Sequence, residues 1–211
     1  MPTSENPAVP DVPRTVFVVD DDPGARQSVA ALIKSRGMPV QTYASGEEFL
    51  AAWKADLRGV VVMDVRMTGI SGLDVQQELR ARGSALPIII ITGFADVPMA
   101  VRAMHQGAVT FLEKPCADQE LWKNVEMALE HEKRIADLSA RKRDIQARHA
   151  TLTPGELQVL DKLMRGDANK TIAAELDMGL RTVEMRRATI MKKMHAESLA
   201  ELVREVLTMS G

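Results

Sequence analysis

Several polar residues that could act together chemically stand where apolar segments of the chain end. They are Asp20, Asp21 and Asp22, then Asp64, Thr92 and Lys114. Most of these positions follow apolar runs of strand length, at 16–19, 60–63 and 88–91, and Lys114 follows a shorter apolar stretch. Acids can hold a divalent cation and supply a carboxylate nucleophile, while a hydroxyl and an amine can bind phosphoryl oxygens. This set of side chains favours transfer of a phosphoryl group onto a carboxylate, if the segments meet.

The segments around these residues alternate between strand-like and helix-like patterns. Strand-like runs lie near 15–20, 39–43, 59–64, 86–92 and 109–112, and helix-like stretches lie near 23–36, 46–55, 72–82, 97–106 and from 118 onward. Short apolar runs separated by helices are typical of parallel strands that are buried on both faces. In such doubly wound sheets, functional groups gather at the carboxyl edge of the strands. We therefore expect an α/β domain whose parallel sheet brings the polar residues to one edge.

The composition fits a soluble protein with one large or two small domains. The chain has 211 residues, of which 45% are hydrophobic and 27% are charged, and no run is long enough to span a membrane. Residues 1–13 lack the basic and apolar segments of a signal peptide, and we predict that they form a disordered tail. Cys116 is the single cysteine, so no internal disulfide can form. We expect a reducing, cytoplasmic location and an unreactive Cys116.

The C-terminal part of the chain carries helical signals only. Residues 151–211 balance nine basic against nine acidic residues, but five of the basic residues lie between positions 181 and 193. The predicted helices run from a capping box of Thr153 and Glu156 to Gly166, then over 169–176, 181–194 and 196–209. A short helix, a turn at Gly179 and a basic helix are typical of a helix-turn-helix. This part therefore forms an all-α, four-helix domain in our prediction.

The helical period of the basic helix separates a core face from an exposed face. Val183, Ile190 and Met194 share one side, and Arg187 beside them must snorkel or pair. The opposite side favours a face that enters the major groove of DNA, with a solvated surface helix as the alternative. The candidate DNA contacts are Asn169, Lys170, Arg181, Thr182, Glu184, Met185, Arg186, Ala188, Thr189, Lys192 and Lys193. Those expected at bases are Glu184, Met185 and Ala188, and those expected at phosphates are Asn169, Lys170, Arg186 and Lys193.

A long stretch without proline or glycine joins the two parts of the chain. Residues 118–149 predict one long helix, in which 131–150 serves as a helical linker between domains at 14–130 and 151–211. The apolar spacing is not a clean heptad, so a solvated linker helix and a dimerising helix both stay open. The last helix, with Leu199, Leu202, Val203 and Val206, could likewise dimerise on DNA or pack internally.

The N-terminal motifs resemble the receiver domain of two-component response regulators. VVDDD, VVMDVRM with GISGLD, ITGFADVPMAVRAM and GAVTFLEKP occur in the family's order and spacing, and the last two are closest to the NarL/FixJ type. The resemblance implies a flavodoxin-like five-stranded sheet and phosphorylation of Asp64 by a histidine kinase. It also implies Mg²⁺ binding by Asp20, Asp21, Asp64 and the main-chain carbonyl of Arg66, phosphoryl contacts from Thr92 and Lys114, and a switch at Thr92 and Phe111. By geometry alone, Phe111 is more simply a core residue.

Residues 152–209 resemble the LuxR-type helix-turn-helix of the same regulators. The matching pieces are LTPGELQVL, NKTIAAEL, RTVEMRR, IMKKM and SLAELVREV. The chain departs from the usual pattern at Gly155, where arginine is common, at Gly179 and Leu180, where Ser-Pro is common, and at Arg186, where histidine is common. In the receiver part, Thr68 replaces the usual proline and adds a backbone N–H and flexibility beside Asp64. We expect altered phosphorylation or dephosphorylation kinetics rather than loss of the site.

These resemblances together imply a cytoplasmic, phosphorylation-dependent transcription regulator that is not an enzyme, beyond phosphorylating itself and slowly losing the group. The implied partners are a sensor histidine kinase, double-stranded DNA, RNA polymerase and, once phosphorylated, a second copy of the chain. Three alternatives stay open: a DNA-binding regulator that ignores phosphorylation, a regulator that binds a partner protein, and a small phosphotransferase or phosphatase. The last is disfavoured because the sequence has no glycine-rich phosphate loop.

Overall fold

The computed structural model of the protein describes residues 13–210 and divides into two compact units. The boundary lies between Ala136 and Asp137, inside the stretch predicted as a linker. The tail predicted for residues 1–13 lies outside the described residues, apart from Pro13. Within residues 13–210, no helix is both long enough and apolar enough to cross a membrane.

The first unit is built on a parallel sheet of five strands with helices between them. The strands are β1 (Thr15–Val19), β2 (Val40–Tyr43), β3 (Gly59–Met63), β4 (Ile88–Thr92) and β5 (Thr110–Glu113). The helices are α1 (Pro23–Ser35), α2 (Gly46–Ala52), α3 (Gly72–Ala81), α4 (Val97–His105) and α5 (Asp118–His149), and α5 continues into the second unit. The strand order β2-β1-β3-β4-β5 with parallel pairing throughout confirms the predicted flavodoxin-like, doubly wound fold.

The three central strands of the sheet feed two separate hydrophobic cores. Alternate side chains of a strand point to opposite faces, so Phe17 joins one core with Met63, and Val18 joins the other with Val62. Strands β1, β3 and β4 are buried along their whole length, whereas the edge strands β2 and β5 are partly exposed. Burial on both faces explains why the central strands are continuous apolar runs rather than alternating sequences.

Side-chain caps fix where the helices of the first unit begin. The Asp22 carboxylate accepts a hydrogen bond from the Ala25 N–H at 2.9 Å, and Pro23 occupies the first helical turn. The same type of cap starts the next three helices, through Ser45 on α2, Ser71 on α3 and Asp96 on α4. Each cap satisfies an N–H that has no partner within its own helix.

The second unit contains the end of α5 and four further helices. These are α6 (Pro154–Met164), α7 (Asn169–Glu175), α8 (Leu180–Lys193) and α9 (Leu199–Ser210). Helix α6 begins with the predicted capping box of Thr153 and Glu156. Ile145 of α5 is fully buried in the same core as Val183 and Ile190 of α8. The C-terminal part of the long helix therefore contributes Ile145 to the core of this unit, while its other side chains from residue 137 to 149 are exposed or half-buried.

Most element boundaries differ from the sequence prediction by a residue or more, and three of the differences have local reasons. Helix α2 stops short of residue 55 because the backbone of Trp53 is extended. Strand β4 begins after Pro87, which has no N–H to donate to a neighbouring strand. Helix α9 begins at Leu199 instead of residue 196 because Ser198 caps it, with its hydroxyl accepting from the Glu201 N–H at 3.2 Å.

We expect Gly72→Ala to lower the free energy of unfolding of the first unit by about 1–3 kcal/mol through overpacking. A Cβ atom at Gly72 would lie 2.1 Å from the main-chain oxygen of Asp64, so the start of α3 would have to move. The matched control is Gly93→Ala, where nothing lies within 4 Å of the added carbon. Urea unfolding followed by tryptophan fluorescence reports on this unit, which contains both Trp53 and Trp122. Equal stability of the two variants would contradict the close approach.

Candidate functional site

Four neighbouring strands bring the predicted site residues to one edge of the sheet. Asp20 directly follows β1, Asp64 directly follows β3, Thr92 ends β4 and Lys114 directly follows β5. In the sheet these strands lie side by side in the order β1-β3-β4-β5, and all are parallel. Their carboxyl ends therefore share one edge, which is where ligands bind in open α/β sheets.

The centre of this site is an ammonium group shared by two buried carboxylates. The Nζ atom of Lys114 donates to Oδ2 of Asp20 at 2.6 Å and to Oδ1 of Asp64 at 3.1 Å. Both acids are buried, with 3% of Asp20 and 6% of Asp64 exposed. Carboxylates are seldom buried without a charged partner, because desolvation of an unpaired charge costs several kcal/mol. Lys114 supplies that partner for both acids.

The environment raises the pKa of both members of this pair, for different reasons. Burial raises the pKa of Asp64, and Lys114 opposes that shift without cancelling it. Burial lowers the pKa of Lys114, but the hydrogen bond to Asp20 and the charges of both acids outweigh it, so the pKa of Lys114 is raised overall. The amine therefore stays protonated and can neutralise an anionic group carried by Asp64.

The three consecutive acids have three different tasks. Asp20 binds Lys114, and Asp22 caps α1. The Oδ2 atom of Asp21 instead accepts two hydrogen bonds from Thr68, one from its N–H at 2.8 Å and one from its hydroxyl at 2.9 Å. These bonds lower the pKa of Asp21, and the bond from the Thr68 N–H has the larger effect. The contact between Asp21 and Thr68 was not predicted from the sequence. The unusual residue Thr68, in place of the usual proline, had nevertheless marked this loop.

The donor chemistry at this edge fits a hard divalent cation. Asp20 and Asp64 already converge on one positive group, the ammonium of Lys114, and carboxylate oxygens are the ligands that Mg²⁺ prefers. Asp21 is engaged by Thr68. Accordingly, in residues 13–210 no group of three or more His, Cys, Asp or Glu side chains is arranged to hold a metal ion.

The loop after β4 connects the site to the surface of the first unit. Thr92 is fully buried, and its hydroxyl oxygen accepts a long hydrogen bond of 3.5 Å from the Phe94 N–H. The Phe94 ring is 65% exposed and lies under the guanidinium of Arg66, 4.5 Å from the ring centroid. Phe111 is half-buried and packs against the sheet core. The contact between Arg66 and Phe94 links the loops that follow Asp64 and Thr92, and no sequence pattern indicated it.

In the second unit, α7, the turn at Gly179 and α8 form the predicted helix-turn-helix. Val183 and Ile190 are buried in the core, and Arg187 pairs through Nη1 with Oδ1 of Asn169 at 3.1 Å. The opposite face of α8 is open, and Met185 is 63% exposed. The exposed predicted DNA contacts are Lys170, Arg181, Glu184, Met185, Ala188 and Lys192, while Asn169, Thr182, Arg186, Thr189 and Lys193 are half-buried.

Two cations predicted to reach DNA phosphates already have partners inside the second unit. Nη1 of Arg186 donates to the Gly155 carbonyl at 3.1 Å and lies 3.2 Å from the sulfur of Met178. Nζ of Lys193 donates to the Glu156 carboxylate at 2.7 Å and to the Thr151 carbonyl at 3.0 Å. Both side chains join α8 to the start of α6. An ammonium has three donors and a guanidinium five, so each cation keeps donors for a phosphate, but its position is fixed by the internal bonds.

Gly155 and Arg186 occupy neighbouring space, which connects two departures from the usual LuxR-type pattern. A Cβ atom built on Gly155 would lie 2.6 Å from the Arg186 guanidinium. The absence of a side chain at position 155 therefore leaves room for the arginine at position 186.

Comparison with known proteins assigns both units to families. Residues 16–126 match the response regulator receiver domain, and residues 150–206 match the luxR family of bacterial regulatory proteins. The transcriptional regulatory protein FixJ of Bradyrhizobium diazoefficiens is 44% identical over 90% of this chain and 92% of its own length. The structure of the response regulator StyR has a TM-score of 0.86 at 38% identity, covering 92% of this chain and 98% of StyR. The crystal structure of full-length FixJ from B. japonicum has a TM-score of 0.58 at 42% identity, covering 93% of this chain and 97% of that FixJ chain.

Fold and site together define a phosphoryl-accepting receiver unit coupled to a DNA-binding helix-turn-helix unit. The chain belongs to the two-component response regulators of the NarL/FixJ type. It is a phosphorylation-dependent regulator of transcription, with a sensor kinase and DNA as its partners. Receiver domains of this family generally depend on Mg²⁺ for phosphorylation.

We expect the side chains at positions 155 and 186 to be energetically coupled. The Cβ atom of an arginine at position 155 would meet only the flexible end of Arg186, so Gly155→Arg should displace that guanidinium from the carbonyl of residue 155 and cost about 0.5–1.5 kcal/mol of stability. Gly155→Arg should cost less in an Arg186→His background, where that hydrogen bond is already absent, as interacting neighbours do. Helical circular dichroism during urea unfolding measures the loss, and tryptophan fluorescence should stay unchanged because both tryptophans lie in the first unit. Strict additivity of the two changes would refute the shared space.

We also expect Glu156 to make the second unit sensitive to acid. The hydrogen bond from Lys193 and then that from the Thr153 N–H lower the pKa of Glu156 below its ordinary value of 4.5. A carboxylate whose pKa is lower in the folded than in the unfolded protein stabilises the fold. This stabilisation is fully present when the pH is above the pKa of the unfolded state, and it is lost as the pH falls through the pKa of the folded state. Glu156→Gln should therefore destabilise the unit at pH 6 and much less at pH 3, measured by thermal unfolding. An equal loss at both pH values would count against this ion pair.

Proposed function

We propose that Asp64 is the residue that accepts the phosphoryl group from the kinase and that Lys114 prepares it. The supporting observation is the Lys114 ammonium, which binds the buried carboxylates of Asp20 and Asp64 together at the carboxyl edge of the sheet. A buried, paired carboxylate is held in one orientation for attack. Asp64 and a phosphohistidine of the kinase are the two reactants that this geometry suits.

In the proposed reaction, a carboxylate oxygen of Asp64 attacks the phosphorus of the phosphohistidine. The new O–P bond forms as the N–P bond breaks, and the electron pair returns to the imidazole nitrogen. Asp20, Asp21, Asp64 and the Arg66 carbonyl would hold Mg²⁺, which neutralises charge on the phosphoryl oxygens. Lys114 transfers a hydrogen bond from the Asp64 carboxylate to a phosphoryl oxygen, and the Thr92 hydroxyl binds another. Water attack on the same phosphorus gives slow self-dephosphorylation.

The proposed switch starts at the Thr92 hydroxyl. Its oxygen is the acceptor of a long bond from the Phe94 N–H, and it must turn its own O–H toward the phosphoryl group when Asp64 is modified. A local charge of this kind can bias an element that has two arrangements. We expect two elements to respond. One is the loop that contains Phe94, and the other is the half-buried Phe111 in β5, the strand beside β4.

We further propose that phosphorylation produces a homodimer through α4. Val97, Val101 and Met104 are 76%, 50% and 48% exposed, and their spacing places them along one side of the helix. An apolar stripe of this kind is a candidate for burial against an identical stripe in a symmetric pair. Two helix-turn-helix units would then bind two half-sites on DNA, where RNA polymerase is the expected further partner. DNA binding supports our proposal of a cytoplasmic location.

We expect beryllofluoride with Mg²⁺ to convert the full-length protein to a dimer and to tighten its binding to DNA. Sedimentation velocity measures the dimer, and fluorescence anisotropy measures binding to a duplex selected from a random pool at high protein concentration. Asp64→Ala should respond in neither assay, because beryllofluoride needs the carboxylate. Val101→Glu should still bind beryllofluoride but stay monomeric. Tight DNA binding by every form under every condition would instead support a regulator that ignores phosphorylation.

A further inference from the structure

The contact between Thr68 and Asp21 bears directly on the use of the acidic site. Both donors of Thr68, its N–H and its hydroxyl, bond to the same atom, Oδ2 of Asp21, at 2.8 and 2.9 Å. An ionised carboxylate has about two acceptor sites on each oxygen. Oδ2 is therefore saturated by one residue. A cation that needs this oxygen must displace at least one of the two bonds.

The neighbouring acids are arranged differently. Asp20 and Asp64 both direct an oxygen to the ammonium of Lys114, whereas Asp21 is bound to a loop that carries no formal charge at the contact. Within residues 13–210, no three acids form one cluster that could hold a metal ion. The contact with Thr68 is the feature that sets Asp21 apart from the other two.

The side chain and backbone at position 68 supply both bonds, so both depend on the residue type. A proline there would have no N–H and no hydroxyl. The same loop has a second, independent attachment, because the Ile70 N–H donates to the Glu47 carboxylate at 2.9 Å. Loss of the bonds from Thr68 would therefore leave the loop anchored, and variants at position 68 should retain the fold.

We propose that Thr68 competes with the divalent cation for Asp21 and so raises the Mg²⁺ concentration that the receiver unit needs. This inference rests on the proposed Mg²⁺ site and adds a control on its loading. Thr68 acts as a positioning residue: it holds Oδ2 of Asp21 in two hydrogen bonds, at least one of which a cation that binds this oxygen has to undo. The net strength of a hydrogen bond to solvent-exposed groups corresponds to a factor of about two to ten in an equilibrium constant.

The test is a titration of the full-length protein with MgCl₂ alone, without a phosphoryl donor, followed by calorimetry. Three variants remove the donors stepwise: Thr68→Ser keeps both, Thr68→Val keeps the N–H, and Thr68→Pro keeps neither. We expect Thr68→Ser to bind Mg²⁺ like the wild type, Thr68→Val to bind about threefold tighter, and Thr68→Pro to bind up to about tenfold tighter. Equal affinity in all four proteins, or weaker binding by Thr68→Pro, would overturn the competition.

A second measurement separates competition from a general effect on the loop. Hydrogen exchange of the Thr68 amide should speed up when Mg²⁺ saturates the wild type, whereas the Ile70 amide should not change. Continued protection of the Thr68 amide would mean that Thr68 orients Asp21 toward the cation, which contradicts the proposal. The Asp20→Asn variant tests the site itself. If it binds Mg²⁺ as well as the wild type does, the Mg²⁺ site is wrong, and the inference about Thr68 fails with it.

Discussion

The receiver unit depends on one electrostatic constraint: two carboxylates are buried side by side, and one ammonium must serve both. Lys114 meets it by donating to both Asp20 and Asp64. Two like charges at close range repel each other in a medium of low dielectric constant, and the ammonium between the two carboxylates offsets that repulsion. Because the three residues follow three different strands, the sheet register has to be correct before this charge balance exists.

The same constraint explains the sequence of the strands that lead to the site. Strands β1 and β3 are buried on both faces, and each ends at an acid. A single-residue slip would move Phe17 and Met63 out of one core and would also separate the acids from Lys114. Apolar packing and the placement of the site therefore select the same register.

The parts of the structure that could be predicted are those in which local sequence and long-range packing agree. Asp20, Asp64 and Thr92 were predictable because each follows or ends a buried strand, and the core face of α8 was predictable from its helical period. The contact between Thr68 and Asp21 was not, because it joins two loops that no periodicity relates. The hydrogen bond from Arg186 to the Gly155 carbonyl was missed for the same reason. A cation on a helix-turn-helix is interpreted as a DNA contact as long as the packing of the neighbouring helix is unknown.

The packing of Arg186 against Gly155 also has an evolutionary consequence. A side chain added at position 155 would meet only the flexible end of Arg186, so the guanidinium and not the backbone would have to shift. A lineage that acquired a larger residue at position 155 would therefore keep the fold but disturb the hydrogen bond from Arg186 to the carbonyl of residue 155. A change at the start of α6 can thus reorient a cation on α8 without any substitution in α8 itself.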